Sequence, residues 1–399
     1  MNLSQGRPYL AIPGPSVIPD RVLNAMHRAS PNIYEGPLHD LTATLFADLR
    51  RVARTAGHVA IYVANGHGAW EAANSNMFSR GDRALVAATG SFGHSWANSV
   101  RRQGVEVDVL DFGKKARADA GQIADALRAD RNRKIRAVLL THVDTASSVR
   151  NDVAEVRAAL DAAGHPALLA VDCIASLGCD RFLMDDWGVD VMVAASQKGL
   201  MVPPGLGFVW FSDKARAACA SADLRTPYWD WGPRTDGPEY WQYFCGTAPT
   251  NHLYGLREAL TMLLDEEGLE QAWARHRRLA EAVWAAAGAW AEGGDIALNV
   301  GQIGERASSV TSLRVGGGGA GKLRRWCEDV AGVTLGIPLG MAEPGDPVYD
   351  DWLRIGHMGH VNAHMVLGVL ATMEAGMTAL GVPHGAGALD AATAVIAAP

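Results

Sequence analysis

Lys198 stands in Ser196-Gln197-Lys198, between the apolar run Val189 to Ala194 and the turn Pro203-Pro204-Gly205. A β-branched apolar run closed by a Gly/Pro turn reads as a buried strand feeding a loop. A lysine there has a desolvated stem and an amine turned to a cleft. Partial burial lowers an amine's pKa and frees its lone pair, as attack on a carbonyl requires. A lysine snorkelling from a strand end is the ordinary alternative. Asp172 closes a second apolar run, Leu168 to Val171. A carboxylate at the end of a buried strand needs a cationic partner, such as a protonated ring nitrogen; otherwise it caps a loop or helix.

Four further stretches carry chemistry of complementary kinds. Gly66-His67-Gly68 follows the strand-like Val59 to Ala64 and precedes a helical run, so its free N–H groups and the helix dipole suit a phosphate. It lacks the G-x-G-x-x-G dinucleotide pattern, and a plain tight turn fits as well. Phe92, past another strand end, offers a flat ring for stacking or simply a core side chain. Thr145 in Thr141-His142-Val143-Asp144-Thr145 has a hydroxyl that could meet a phenolate oxygen or serve in a turn. Arg354 in Arg354-Ile355-Gly356-His357 can grip a carboxylate bidentately or pair at the surface. The glycine run Gly316 to Gly321 reads as a flexible turn. Together the set offers a phosphate cradle, a stacking ring, a phenolate donor, a ring-nitrogen partner, an amine and a carboxylate clamp. Pyridoxal 5'-phosphate and an amino-acid substrate need that combination.

The elements that must position these residues alternate in type. Strands are expected at Val59 to Ala64, Ala84 to Ala88, Val105 to Leu110, Ala137 to Leu140, Leu168 to Val171, Val189 to Ala194 and Gly207 to Phe211. Helical patterns lie at Arg21 to Arg28, Leu38 to Ala56, Ala69 to Phe78, after Gly93 to Arg102, Gln122 to Arg128 and Val153 to Ala163. The fold class is therefore α/β, a large domain with a mostly parallel central sheet, whose ligand sites lie at the carboxyl ends of the strands. Tyr228 to Trp231 is an aromatic knot in irregular chain. Asn251 to Trp290 is helical with a break near Gly268. Ser309 to Val315, Leu323 to Val330, Trp352 to Ile355 and Val361 to Leu380 then suggest a smaller α+β C-terminal domain. The division expected is an extended segment 1–20, a large domain 21–265 and a small domain 266–399. The Ala/Gly-rich tail, 384–399, is expected to be loosely held.

Bulk composition narrows the function classes. The chain has 399 residues, 48% hydrophobic and 20% charged, with a net charge of -7 and a pI near 6.0. It can bury a large core, and neither nucleic acid nor an anionic membrane is favoured as a partner. No apolar run reaches the roughly 18 residues of a membrane span, and the N-terminus lacks a signal-like apolar stretch. Five cysteines, without a C-x-x-C pair, fit reduced thiols and a cytoplasmic location. The 13 histidines form no H-E-x-x-H, so no metal is expected.

Over nearly its whole length the sequence resembles the class V, fold-type I aminotransferases of the alanine/serine–glyoxylate group. The resemblance rests on Gly66-His67-Gly68-Ala69 with Glu71-Ala72, Val171-Asp172 with Ala175-Ser176-Leu177-Gly178, and Ser196-Gln197-Lys198 with Pro203-Pro204-Gly205. Thr247, Leu256-Arg257-Glu258 and Leu353-Arg354-Ile355-Gly356 add to it. It implies that Lys198 forms the internal aldimine and shuttles a proton, and that Asp172 pairs with the pyridine nitrogen. It implies stacking by Phe92 and a Thr145 contact to the phenolic oxygen. Gly66, His67, Gly68, Gln197 and Thr247 would hold the phosphate, Thr247 from the neighbouring subunit of a homodimer. Arg354 would hold the substrate α-carboxylate. The expected reaction is ping-pong transfer from an amino acid to glyoxylate or pyruvate.

Two departures bear on the substrate. Relatives often carry a phosphate-binding tyrosine where Phe244 stands, and a His-Arg pair where Tyr34-Glu35-Gly36 stands. Glu35 facing the donor side chain would disfavour dicarboxylic donors; Glu35→Gln should then change the donor profile, and an unchanged profile refutes it. Alternatives are a pyridoxamine–pyruvate aminotransferase, to which Asp144-Thr145 and Arg354 to Gly359 are similar, and a non-catalytic PLP-binding protein. A cysteine desulfurase would need a cysteine on a mobile loop, whereas Cys327 falls in a helical pattern.

Overall fold

The computed structural model describes residues 2–399. The chain opens with β1 (Tyr9–Ala11), α1 (Asp20–Met26) and α2 (Pro37–Ala53). It continues through β2 (His58–Ala64), α3 (Gly66–Met77), β3 (Arg83–Ala88), α4 (Ser91–Arg102), β4 (Glu106–Asp111), α5 (Ala120–Ala129) and β5 (Ile135–Thr141). A small hairpin, β6 (Val143–Asp144) and β7 (Val149–Arg150), leads to α6 (Val153–Ala162), β8 (Leu168–Asp172), β9 (Val191–Ala195) and β10 (Gly205–Phe211). Then come α7 (Asp213–Cys219), α8 (Trp231–Asp236), α9 (Thr250–Leu260), a π-helical turn Thr261–Glu267 and α10 (Leu269–Ala291). The remainder is β11 (Ile296–Leu298), β12 (Val310–Val315), α11 (Gly319–Ala331), β13 (Val333–Leu335), β14 (Trp352–Gly356), α12 (Ala363–Leu380) and α13 (Ala388–Ala397).

Seven strands form the main sheet in the order β2-β10-β9-β8-β5-β3-β4. Only β10 runs antiparallel to its neighbours β2 and β9. The central strands are apolar without alternation: every residue of Leu168–Asp172 and Val191–Ala195 is buried. That is what a parallel strand covered on both faces requires. One face packs on α2, α5, α6 and α9 through Leu45, Leu49, Ile123, Leu160 and Leu256. The other packs on α3, α4 and α7 through Trp70, Met77, Trp96 and Cys219. Helix starts follow capping rules: Asp119 and Asp152 cap α5 and α6, and Pro37 opens α2 at a position where its missing N–H is harmless.

A second sheet, β11-β12-β14, is antiparallel and packs with α10, α11, α12 and α13 around Leu313, Leu323, Leu353, Leu370 and Met373. The N-terminal segment joins this unit: β1 pairs in parallel with β13, and Ala11 lies in the same core. The helical stretch 251–290 breaks at Gly268, whose φ of 86° ends the π-helical turn where an L side chain would be strained.

The structure departs from the sequence reading in the tail, at Gly66-His67-Gly68 and in α12. The tail is not loose: α13 lies along α10 with Ala388 and Ala392 fully buried, and Arg278 donates to the carbonyls of Val395 (3.0 Å) and Ala398 (2.6 Å). Its alanines gave no amphipathic contrast, but small side chains allow two helices to approach closely. Gly66-His67-Gly68 is the first turn of α3 rather than a separate tight turn. Finally, α12 is long and apolar enough to cross a membrane by length and composition. Its Val366, Val369, Leu370, Met373 and Met377 fill the second core instead.

Candidate active site

Parallel strand ends bring the candidates together. Asp172 ends β8 and Lys198 follows β9, the neighbouring strand. Lys198 Nζ donates to the Pro13 carbonyl. Its own carbonyl accepts from Ser16 Oγ at 2.8 Å, and Ser16 N donates to Gln197 O at 2.9 Å. Residues 13–16 therefore form a strap across the lysine. Gly14, at φ 102°, is required there twice over: its backbone is left-handed, and a Cβ would run into the Lys198 amine. Burial lowers the Lys198 pKa to about 8, aided by the nearby Arg354 charge and opposed by Asp172.

Asp172 is 3% exposed. Its Oδ2 accepts from Trp70 Nε1 at 3.0 Å and its Oδ1 from Ile174 N at 2.7 Å. Among the described residues no cation reaches it within salt-bridge distance. Burial raises its pKa to about 7, and the charge of Asp144 adds to that. A buried carboxylate with two neutral donors and no cation is built to receive one. Trp70 was missed from sequence; the only signal was an aromatic one turn into the helix that the glycine turn opens.

At the start of α3, Asn65 Oδ1 accepts from His67 N (3.1 Å) and Gly68 N (3.3 Å). Those N–H groups converge on a single acceptor, and a phosphate would compete with Asn65 for them. Gly66 packs on Ile174, where a Cβ would lie 2.5 Å from Cδ1. The His67 ring is exposed and lies edge-on to Trp70, with centroids 4.7 Å apart. Among the described residues Gln197 Oε1 is buried without a hydrogen-bond partner. The aromatic knot turns out to buttress this corner: Trp229 lies against Gly68, Trp231 stacks on Phe211 at 4.2 Å, and Tyr228 and Tyr62 flank the buried Arg234 guanidinium.

Phe92 is in the first turn of α4, half-buried and edge-on to Trp70 with centroids 6.4 Å apart. Thr145 follows the β6 strand, and its carbonyl accepts from Arg354 Nη1 at 3.0 Å. Arg354 sits on β14, 5% exposed, with Nε donating to Ile337 O at 2.8 Å. Burial lowers its pKa to about 10, and Asp144 opposes that fall. One hydrogen each on Nε and Nη1 is used, so Nη1 and Nη2 together keep a free edge for a carboxylate. Lys198, Asp172, Phe92, Thr145 and Arg354 thus share one region, reached from both sheets. Three other candidates lie at the surface of the single chain. Tyr34 is 86% exposed, Glu35 is exposed, and Thr247 is exposed just before α9.

The chain and its fold are similar to known proteins. The chain is 38% identical over 384 residues to a serine–glyoxylate aminotransferase of Methylorubrum extorquens, covering 94% of this chain and 92% of that one. It is 35% identical to an L-aspartate–glyoxylate aminotransferase of Paracoccus denitrificans, covering 93% and 91%. Its fold superposes on a pyridoxamine-pyruvate aminotransferase from Mesorhizobium loti with a TM-score of 0.87 at 24% identity, covering 99% of both chains. Residues 8–319 match the family model for class-V aminotransferases, and the chain belongs to that family.

Proposed function

We propose that the protein moves the amino group of an amino acid to a small 2-oxo acid, glyoxylate or pyruvate, with pyridoxal 5'-phosphate as the carrier. The observation that carries this is the pairing of a buried amine, Lys198 at a pKa of about 8, with a buried, cation-free carboxylate, Asp172. The bound cofactor would supply an electron-withdrawing pyridine ring and an aldehyde able to take up an amino nitrogen. Lys198 Nζ, poised between charge states near neutral pH, is suited to take and return a proton at the substrate's α-carbon. Asp172 would hold a proton on the ring nitrogen, Phe92 would cover the ring, and Thr145 would meet the phenolic oxygen. Arg354 would orient the α-carboxylate. Gly66, His67, Gly68, Gln197 and Thr247 would hold the phosphate, with Tyr34 and Glu35 beside the donor's side chain.

The exposure of Thr247, Tyr34 and Glu35 in a single chain supports a homodimer with sites at its interface. The two cores support a division into a large and a small unit, and along the chain they part within α10, between Trp273 and Leu279, beyond the boundary expected at 265. A cytoplasmic location is supported by five unpaired cysteines, four of them buried. Cys327, buried in α11, offers no exposed thiol for desulfuration.

A second reading, transfer from free pyridoxamine to pyruvate, gains from Asn65, which already occupies two of the N–H groups a phosphate would use. One experiment separates the two. Purified protein is reconstituted with pyridoxal 5'-phosphate and exposed to serine, alanine or aspartate. A visible band that moves to the pyridoxamine form, and back on adding glyoxylate or pyruvate, is expected; Lys198→Ala should not cycle. No retained band, with turnover of pyridoxamine, would favour the second reading. A band that never shifts would indicate a binder without turnover.

A further inference from the structure

Asp144 lies outside the set marked by sequence, yet it touches more of the site's framework than any member of that set. It is fully buried at the end of β6. Its Oδ2 accepts from Phe92 N at 2.8 Å and Gly93 N at 3.2 Å, and its Oδ1 accepts from Ala146 N at 3.0 Å. The first two bonds cap α4 from a different element, because the helix's own leading residue, Gly90, has no side chain to do so. The third closes the turn containing Thr145, whose carbonyl holds Arg354. Three N–H donors and no hydrogen-bonded cation make this a carboxylate bound by the backbone. Gly90 leaves it room: a Cβ there would lie 2.5 Å from Asp144 Oδ1.

We propose that Asp144 is a positioning residue that fixes Phe92, Thr145 and the Arg354 guanidinium relative to one another, so that cofactor plane and carboxylate clamp share one reference point. This rests on the aminotransferase reading above. An ordinary helix cap would need only one oxygen and one helix. Here the second oxygen serves the other half of the site. Asp144 touches neither substrate nor cofactor in this scheme; it acts through the three residues it holds.

Asp144→Asn tests it, since the amide keeps a single acceptor oxygen and cannot serve all three N–H groups. Gly90→Ala tests it without altering the carboxyl, because Gly90 has extended backbone open to any residue and the added methyl displaces Asp144. Both variants should bind pyridoxal 5'-phosphate about tenfold more weakly than wild type by absorbance titration. Both should show altered visible circular dichroism of the bound cofactor. Both should raise KM for the amino acid by more than they lower kcat. Unchanged cofactor affinity and dichroism, with only a lowered Tm, would overturn the proposal, as would failure of both variants to fold. A wild-type protein that takes up no pyridoxal 5'-phosphate would sink the aminotransferase reading and this proposal together. A competent wild type matched by both variants would sink the positioning role alone.

Discussion

At the scale of single residues, burial sets the chemistry more than direct contact does. Lys198 and Asp172 are each pushed toward neutrality by desolvation, and each only partly rescued or opposed by the other's charge. For Asp172 this carries a stability consequence. The folded chain holds the carboxyl proton more tightly than the unfolded chain, so the contribution is complete below about pH 4 and is lost as pH rises through about 7. Cofactor-free Asp172→Asn avoids that loss. It should gain stability over wild type as pH rises across this window, by up to about 4 kcal/mol. Melting curves of both proteins at pH 5 and 8 check it. Parallel pH dependence would mean that the carboxyl is as free to ionise in the fold as in water. The carboxyl whose removal stabilises the empty protein is then the one that the proposed reaction uses, a common trade at active sites.

At the scale of elements, α13 tests how much a small-residue interface contributes. Deleting 386–399 removes the contacts of α13 with α10 and, with them, the carbonyls that Arg278 donates to. A loss of about 2–4 kcal/mol is expected, seen as a Tm lower by several degrees. An unchanged Tm would return the tail to the loose state expected from sequence. Elements were legible where the local signal was unambiguous. The buried runs at 168–171 and 189–194 and the Gly268 break could be read directly, because they depend on composition alone. The burial of Lys198 and Asp172 was legible because a charge at the end of an apolar run is anomalous in itself, whereas Arg354 stands in the middle of β14 and was marked for its carboxylate-binding chemistry. Trp70 and Asp144 were not legible: their contacts are with partners more than fifty residues away, Trp70 donating to Asp172 and Asp144 accepting from Phe92. β1 was also missed, since three residues of strand between prolines and glycines have no periodicity to detect. It exists only because β13 is there to pair with it.

At the scale of the whole molecule, the exposure of Tyr34, Glu35 and Thr247 in the single chain sets the question of assembly. If Thr247 serves the phosphate of a neighbouring subunit, two defective chains can repair each other. Lys198→Ala and Thr247→Glu should each be inactive alone, yet a co-expressed mixture should regain part of the wild-type rate. In a mixed dimer one site joins the intact lysine of one chain to the intact threonine of the other. No recovery would place both residues in the same subunit's site or outside it. The strap over Lys198 has a different consequence, one of timing. Residues 13–16 are held between the lysine and β1, and the strand that pairs with β1 is β13. A ribosome releases Tyr9 early but must reach Val333 before its pairing partner exists, and such distant pairings form late. The Lys198 amine therefore stays uncovered through most of synthesis, and, on the proposed function, nascent chains ending before Val333 should fail to retain a B6 aldehyde.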